Sequence, residues 1–147
     1  MYLRVDDRLV HGQVVTAWVK QLKIRHIRVF DDTAASNAFT RKALKLAAPA
    51  GISCNVDPVA DSAGIEDSDD TLVIVKTTMA AHNVVAANPG FAWTVNVGNV
   101  GSAPNRKTYA DTVHLTDDEY AAVRELLDMA NVEVFMQTVP GQPVNHF

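Results

Sequence analysis

A single cysteine, Cys54, is all the thiol chemistry in the 147 residues. One thiol cannot close an internal disulfide, which suits a reducing compartment. Positive charge is also scarce: 13 Lys and Arg stand against 17 Asp and Glu, for a net charge of −4 without any basic block. That balance argues against sequence-independent binding to nucleic-acid phosphates. No apolar run approaches the ~18 residues that span a bilayer, and the start lacks a signal-peptide pattern. Any link to a membrane would therefore run through a partner. No G-x-x-x-x-G-K-[ST] phosphate loop occurs, and no histidine pair has metal-ligand spacing.

What remains is an ordinary globular composition, 48% hydrophobic and 20% charged, on a chain of single-domain length. Residues 1–147 are read as one domain, with no repeat, low-complexity tract or linker. Strand and helix patterns alternate along it. MYLRV (1–5), HIRVF (26–30), ISCNV (52–56), TLVIV (71–75), WTVNV (93–97), ADTVHL (110–115) and VEVFMQ (132–137) read as strands. TLVIV is apolar throughout, as in a strand covered on both faces. Helices are expected over Gly12–Leu22, after Asp31-Asp32 with Phe39, Ala43 and Leu46 forming one apolar face, and from Thr78 to about Ala87. A further helix follows the capping box of Thr116 and Glu119. The tail from Pro140 to Phe147 reads as loose.

Such alternation implies an α/β fold: a single open, mostly parallel twisted sheet of about seven strands with helices on both faces. Ligands of these sheets bind beyond the carboxyl ends of the strands. Segments 6–12, 31–36, 76–78 and 98–106 should then share one rim.

The first of these segments lies in RVDDRLVHGQVV, residues 4 to 15, which gathers charge around one imidazole. His11 directly precedes a helix N-terminus, where free N–H groups and the dipole favour an anion such as a phosphoryl group. Gly12 lets that group approach the backbone. Arg8 offers a donor fork suited to phosphate oxygens, and a neutral imidazole can act as the nucleophile. Asp6 or Asp7 could orient the ring or hold Arg8, although two carboxylates aimed at a phosphate would repel it, so at least one should turn aside. On pattern alone, a loop histidine is more often a capping or hydrogen-bonding residue than a nucleophile, and an Asp-Asp pair after a strand is commonly a turn and N-cap signal.

Lys76 and Thr77, at the end of the apolar fourth strand, either contact phosphate or a partner or simply end the strand and cap a helix. Residues 96–106, NVGNVGSAPNR, read as a flexible loop bordering the site, with Arg106 beside an anion-binding nest. Arg4, Arg8, Arg28, Lys76 and Arg106 would make the rim locally positive on an acidic protein. His26, His82, His114 and His146 lack the helix-end context.

The string itself narrows the choice. RVDDRLVHGQ resembles the R-[IV]-D-x-R-L-[IV]-H-G-Q segment of IIB subunits of the phosphoenolpyruvate-dependent sugar phosphotransferase system, in the mannose–fructose–sorbose family. Arg4, Val5, Asp6, Arg8, Leu9, Val10, His11, Gly12 and Gln13 carry the match, supported by VFDDTAA (29–35), KLAAPAG (45–51), NVGN (96–99) and TVHLTDDEY (112–120).

The resemblance implies a phosphocarrier enzyme, a phosphohistidine–sugar phosphotransferase that needs no cofactor. His11 would accept a phosphoryl group on Nδ1 from a IIA protein or domain. It would pass the group to a sugar moved by membrane IIC and IID subunits, with Arg8 assisting. Asp6, Gly12, Gln13, Lys76, Thr77 and Arg106 are the further candidates for binding phosphate or partner. The expected location is cytoplasmic, peripheral to the permease, as a separate subunit or excised domain, and the family allows for a homodimer. A stand-alone regulatory phosphoacceptor is the alternative. A small hydrolase fits poorly, because no nucleophilic Ser or Cys stands out.

Overall fold

The computed structural model describes residues 1–147. Its strands are β1 (Tyr2–Asp6), β2 (His26–Phe30), β3 (Ser53–Asp57), β4 (Thr71–Val75), β5 (Trp93–Asn99), β6 (Lys107–Ala110), β7 (Val113–Leu115) and β8 (Val132–Met136). The helices are α1 (Gly12–Leu22), α2 (Asp32–Ala35), α3 (Ala38–Ala47), α4 (Thr78–Ala87) and α5 (Asp117–Leu127). Six strands form one parallel sheet in the order β3-β2-β4-β1-β5-β8. The first strand of the chain is thus central, and Val5 pairs with Val75 on one side and Val97 on the other.

Period-2 alternation sends neighbouring residues of each strand to opposite faces. One apolar cluster joins Ile27, Val29, Leu72 and Ile74 to Val15, Trp18 and Val19 of α1 and to Leu44 of α3. The other joins Leu3, Val5, Val73, Val75, Val95 and Val97 to Val84 and Val85 of α4 and to Val123 and Leu126 of α5. Helices therefore cover both faces. The continuous apolar run of β4 follows from its place between two layers: Leu72 to Val75 are all buried.

Local signals explain the ends of the elements. α1 stops at Lys23, which takes a left-handed conformation (φ 56°), while the Ile24 N–H closes on the Val19 carbonyl at 2.9 Å. Thr77 caps α4 and Thr116 caps α5 by accepting N–H bonds from Ala80 and Glu119.

Three expectations change. ADTVHL is not a seventh strand of the sheet: the chain reverses at Asp111-Thr112, and β6 and β7 pair antiparallel. β7 touches the main sheet only through a bridge between Val113 and Val100, just beyond β5. The sheet therefore has six strands, with a two-stranded ribbon beside it. The helix after Asp31 is split into α2 and α3, and its supposed inner face is outward: Phe39 is 82% and Leu46 77% exposed, while Leu44 packs inward. The tail is not loose either. Met136 and Asn145 exchange two backbone bonds of 2.8 and 2.9 Å, and Phe147 packs against Tyr109 and Tyr120. No helix is long and apolar enough to cross a membrane.

Candidate functional site

β1 and β4 are neighbours, yet the chain leaves β1 for α1 on one face and leaves β4 for α4 on the other. That divergence makes their carboxyl ends the topological switch point, whose crevice is where open α/β sheets bind ligands. The loop carrying Arg8 and His11 and the pair Lys76-Thr77 both start at this point.

Tight local geometry holds the loop. The Leu9 N–H returns to the Asp6 carbonyl at 2.9 Å, and Leu9 adopts a left-handed conformation (φ 57°). A branched residue in that region costs on the order of 1 kcal/mol, and burial of the Leu9 and Val10 side chains offsets it. His11 follows as the N-cap of α1 in extended conformation (φ −134°), and its ring is exposed and makes no cap bond. Gly12 has φ +39° with open space where a Cβ would stand, so the first turn of α1 faces solvent unobstructed. Gln13 is exposed beside it. The arrangement is an accessible nucleophile next to uncapped helix N–H groups, suited to an anion.

Asp6 lies beneath the loop, fully buried. Its Oδ1 accepts from the Arg8 backbone N–H and from Arg8 Nε, each at 3.0 Å, and its Oδ2 accepts from Arg8 Nη2 at 3.1 Å. From below, Arg4 Nε and Nη2 donate to the same Oδ2 at 3.3 and 3.0 Å. Asp6 therefore organises Arg8 and presents no surface of its own to a ligand. The bond to Asp6 holds the Arg8 guanidinium above its ordinary value. Burial lowers that of Arg4, with Asp6 opposing the fall. Asp7 turns aside as well: its carboxylate accepts from Asn99 Nδ2 and the Gly101 N–H, both at 2.8 Å.

Those bonds tie the loop of residues 98–106 to the site, in place of the free loop expected. Arg106 adds to this by donating to the Gly101 carbonyl at 2.9 Å and to Glu119 Oε1 at 3.0 Å. Its guanidinium is thus engaged within the chain, and the Glu119 carboxylate does not complete the capping box. Lys76 is exposed at the crevice, whereas Thr77 is spent on capping α4. Of the arginines expected to make the rim positive, Arg4 is 1% exposed under the sheet end and Arg28 lies in mid-β2 paired with Asp57. Asp31 caps α2, and Asp32 accepts from the Val59 N–H. His82 pairs with Glu125, while His26 and His114 bond to Ser53 and Thr108. No three His, Cys, Asp or Glu side chains gather as a metal cradle.

Arg4, expected at the positive rim, lies beneath the site instead, and Gly98 makes room for it. Arg4 Nη1 also donates to the Gln137 carbonyl at 3.1 Å, and its guanidinium fills the space where any side chain at position 98 would stand. The parity of residues 4 and 6, which puts both on one side of β1, was the available signal for their pairing.

Comparisons with known proteins bear on the family and the fold. Residues 1–146 match the sorbose-subfamily IIB component of the phosphotransferase system. A probable phosphotransferase enzyme IIB component of Streptococcus pyogenes is 33% identical, over 98% of this chain and 94% of that protein. The sorbose-specific EIIB component of Klebsiella pneumoniae is 29% identical, over 95% and 87%. Among solved structures, the IIB domain of the Klebsiella sorbose permease superposes with a TM-score of 0.85 at 28% identity, covering 98% of this chain and 92% of that one. The N-acetylgalactosamine-specific IIB component 1 of Escherichia coli shares the fold, with a TM-score of 0.90 over 99% and 97% of the two chains. With its match running from end to end of the β1-to-β8 fold, this chain belongs to the sorbose-type IIB components of the sugar phosphotransferase system.

Proposed function

We propose that His11 is the phosphoryl acceptor of this subunit. The observation that carries the reading is an unencumbered imidazole at the mouth of α1, beside uncapped N–H groups and an arginine oriented by Asp6. The donor is a phosphohistidine on a IIA protein or domain. Nδ1 of His11 attacks its phosphorus; the new N–P bond forms as the donor's breaks, and the electron pair returns to the donor ring. A sugar hydroxyl then attacks the same phosphorus. An O–P bond replaces the N–P bond, the electron pair returns to Nδ1, and the hydroxyl proton leaves to the imidazole or solvent.

Both steps move charge onto the equatorial phosphoryl oxygens, which Arg8, Lys76 and the N–H groups of Gly12 and Gln13 would neutralise. The phosphohistidine is itself the energy-rich donor, so no nucleotide or metal enters the cycle. The sugar arrives through membrane IIC and IID subunits, which place the protein at the cytoplasmic side of a permease.

Incubation with phosphoenolpyruvate, the general phosphotransfer proteins and IIA, followed by alkaline phosphopeptide mapping, tests the reading. Label is expected on the peptide containing His11 and none in His11→Ala. An Arg8→Ala protein should be labelled but slow to release the group to sugar. Label on another residue would overturn the assignment.

A further inference from the structure

Charge counting across Arg4, Asp6 and Arg8 assigns a task to the buried member. Arg8 alone with Asp6 is a neutral pair: three of its donors, counting the main-chain N–H, point at the carboxylate. A neutral pair attracts a phosphoryl dianion weakly. Arg4 lies on the far side of the same carboxylate, 1% exposed, and makes two bonds to Oδ2. Two cations and one anion leave one net positive charge. Its outward end is the Arg8 guanidinium, whose side chain is 35% exposed.

We infer that Arg4 is a positioning residue that neutralises Asp6 from beneath, so that Arg8 presents a full positive charge to the phosphoryl group. The idea rests on the proposed role of His11. The packing around Arg4 suits this task, for its guanidinium occupies the space left by Gly98 and its third anchor is the Gln137 carbonyl. Its position is set by three separate parts of the chain. Trp18 flanks the guanidinium at 5.7 Å from its ring centre. A charge placed this deep has no contact with solvent ligands, and Asp6 is its only ionic partner. Removing it unbalances Asp6 and strengthens the hold of Asp6 on Arg8.

Four full-length proteins separate this from a packing role: wild type (+1 across the three positions), Arg4→Gln (0), Asp6→Asn (+2) and the double variant Arg4→Gln/Asp6→Asn (+1). In the double variant the Gln amide oxygen can accept from the Asn amide, restoring a bonded pair. The readout is the rate of phosphoryl transfer from phospho-IIA at low and high ionic strength, alongside thermal melting. At low salt Arg4→Gln should fall about tenfold, because the unbalanced carboxylate now offsets Arg8. Adding Asp6→Asn should recover part of that loss, while Asp6→Asn alone should be slower than wild type because Arg8 loses the carboxylate that orients it. High salt should draw the four together, because exposed charge is screened. Arg4→Lys should keep most of the rate.

A double variant no faster than Arg4→Gln, or an Arg4→Gln protein equal to wild type, would overturn the assignment. Should Arg4→Gln fail to fold, Arg4→Lys against wild type decides: it keeps the charge, and a tenfold slower rate from a protein that melts like wild type would refute the assignment. Absence of His11 label in the wild type is a different outcome, and it refutes the acceptor reading instead.

Discussion

Replacing Gly98 by alanine adds one methyl group, and the structure makes its effect unusually legible. Gly98 lies in β5 outside the left-handed region, so alanine meets no backbone strain there. In such a position alanine ordinarily stabilises, by roughly 0.4–1 kcal/mol, because it restricts the unfolded chain. Here its Cβ coincides with the Arg4 guanidinium. The guanidinium, 2.0 Å from the new Cβ at its Nη1, must shift, and the fully buried Asp6 loses its two bonds from beneath. Breaking a buried ion pair from one side costs about 3–5 kcal/mol, a large share of the 5–15 kcal/mol that holds a typical domain together. At about 2–4 °C per kcal/mol for a chain of this size, the melting midpoint should fall by about 6–20 °C.

Differential scanning calorimetry and urea titration would measure this, with Gly101→Ala as control. There the new Cβ would stand 3.3 Å from Asp7 Oδ2, and the cost should stay below about 1 kcal/mol. The two possible signs for Gly98→Ala differ. A midpoint unchanged or raised would refute the packing argument outright.

Three further outcomes are expected. Leu126→Ala, at a position with no exposure, should cost about 2–5 kcal/mol by urea titration, whereas Phe39→Ser, 82% exposed, should stay within about 0.5 kcal/mol. Thr116→Ala removes the cap that accepts from the Glu119 N–H and should cost about 1 kcal/mol, seen as a lower melting midpoint. Burial pushes the Cys54 thiol up, so iodoacetamide should alkylate it more slowly in the folded protein than in urea at the same mildly alkaline pH. The folded state holds that proton more tightly. Its contribution to stability is therefore complete below the ordinary thiol value and is lost as pH rises through the folded one; Cys54→Ala should flatten that alkaline decline.

Much of this architecture was readable because it is written in short-range pattern. Gly12 and Leu22 bound α1 in the sequence and in the structure, and TLVIV announced a strand buried on both faces. The crevice could be placed because alternation and the carboxyl-end rule are both local inferences. Phe39 and Leu46 misled because helical spacing reports an apolar face without saying whether anything covers it. ADTVHL misled because the turn at Asp111-Thr112 carries no glycine or proline. The 98–106 loop looked free because its ties run to Asp7 and Glu119, through Asn99, Gly101 and Arg106. Arg4 was the deepest miss. A charged residue inside an apolar strand gives no hint that, besides Asp6, it is anchored to a carbonyl 133 residues onward.

That long reach has a consequence for how the protein comes into being. The N-terminal strand is made first, yet its two neighbours in the sheet are β4 and β5, and its buried guanidinium waits for Gly98 and Gln137. Synthesis must pass β8 before the loop carrying His11 has all of its supports. Proteolytic removal of residues from 137 onward would cost Arg4 its carbonyl anchor and leave Asp6 as its partner. A chain halted before that point carries the histidine without every tie beneath it.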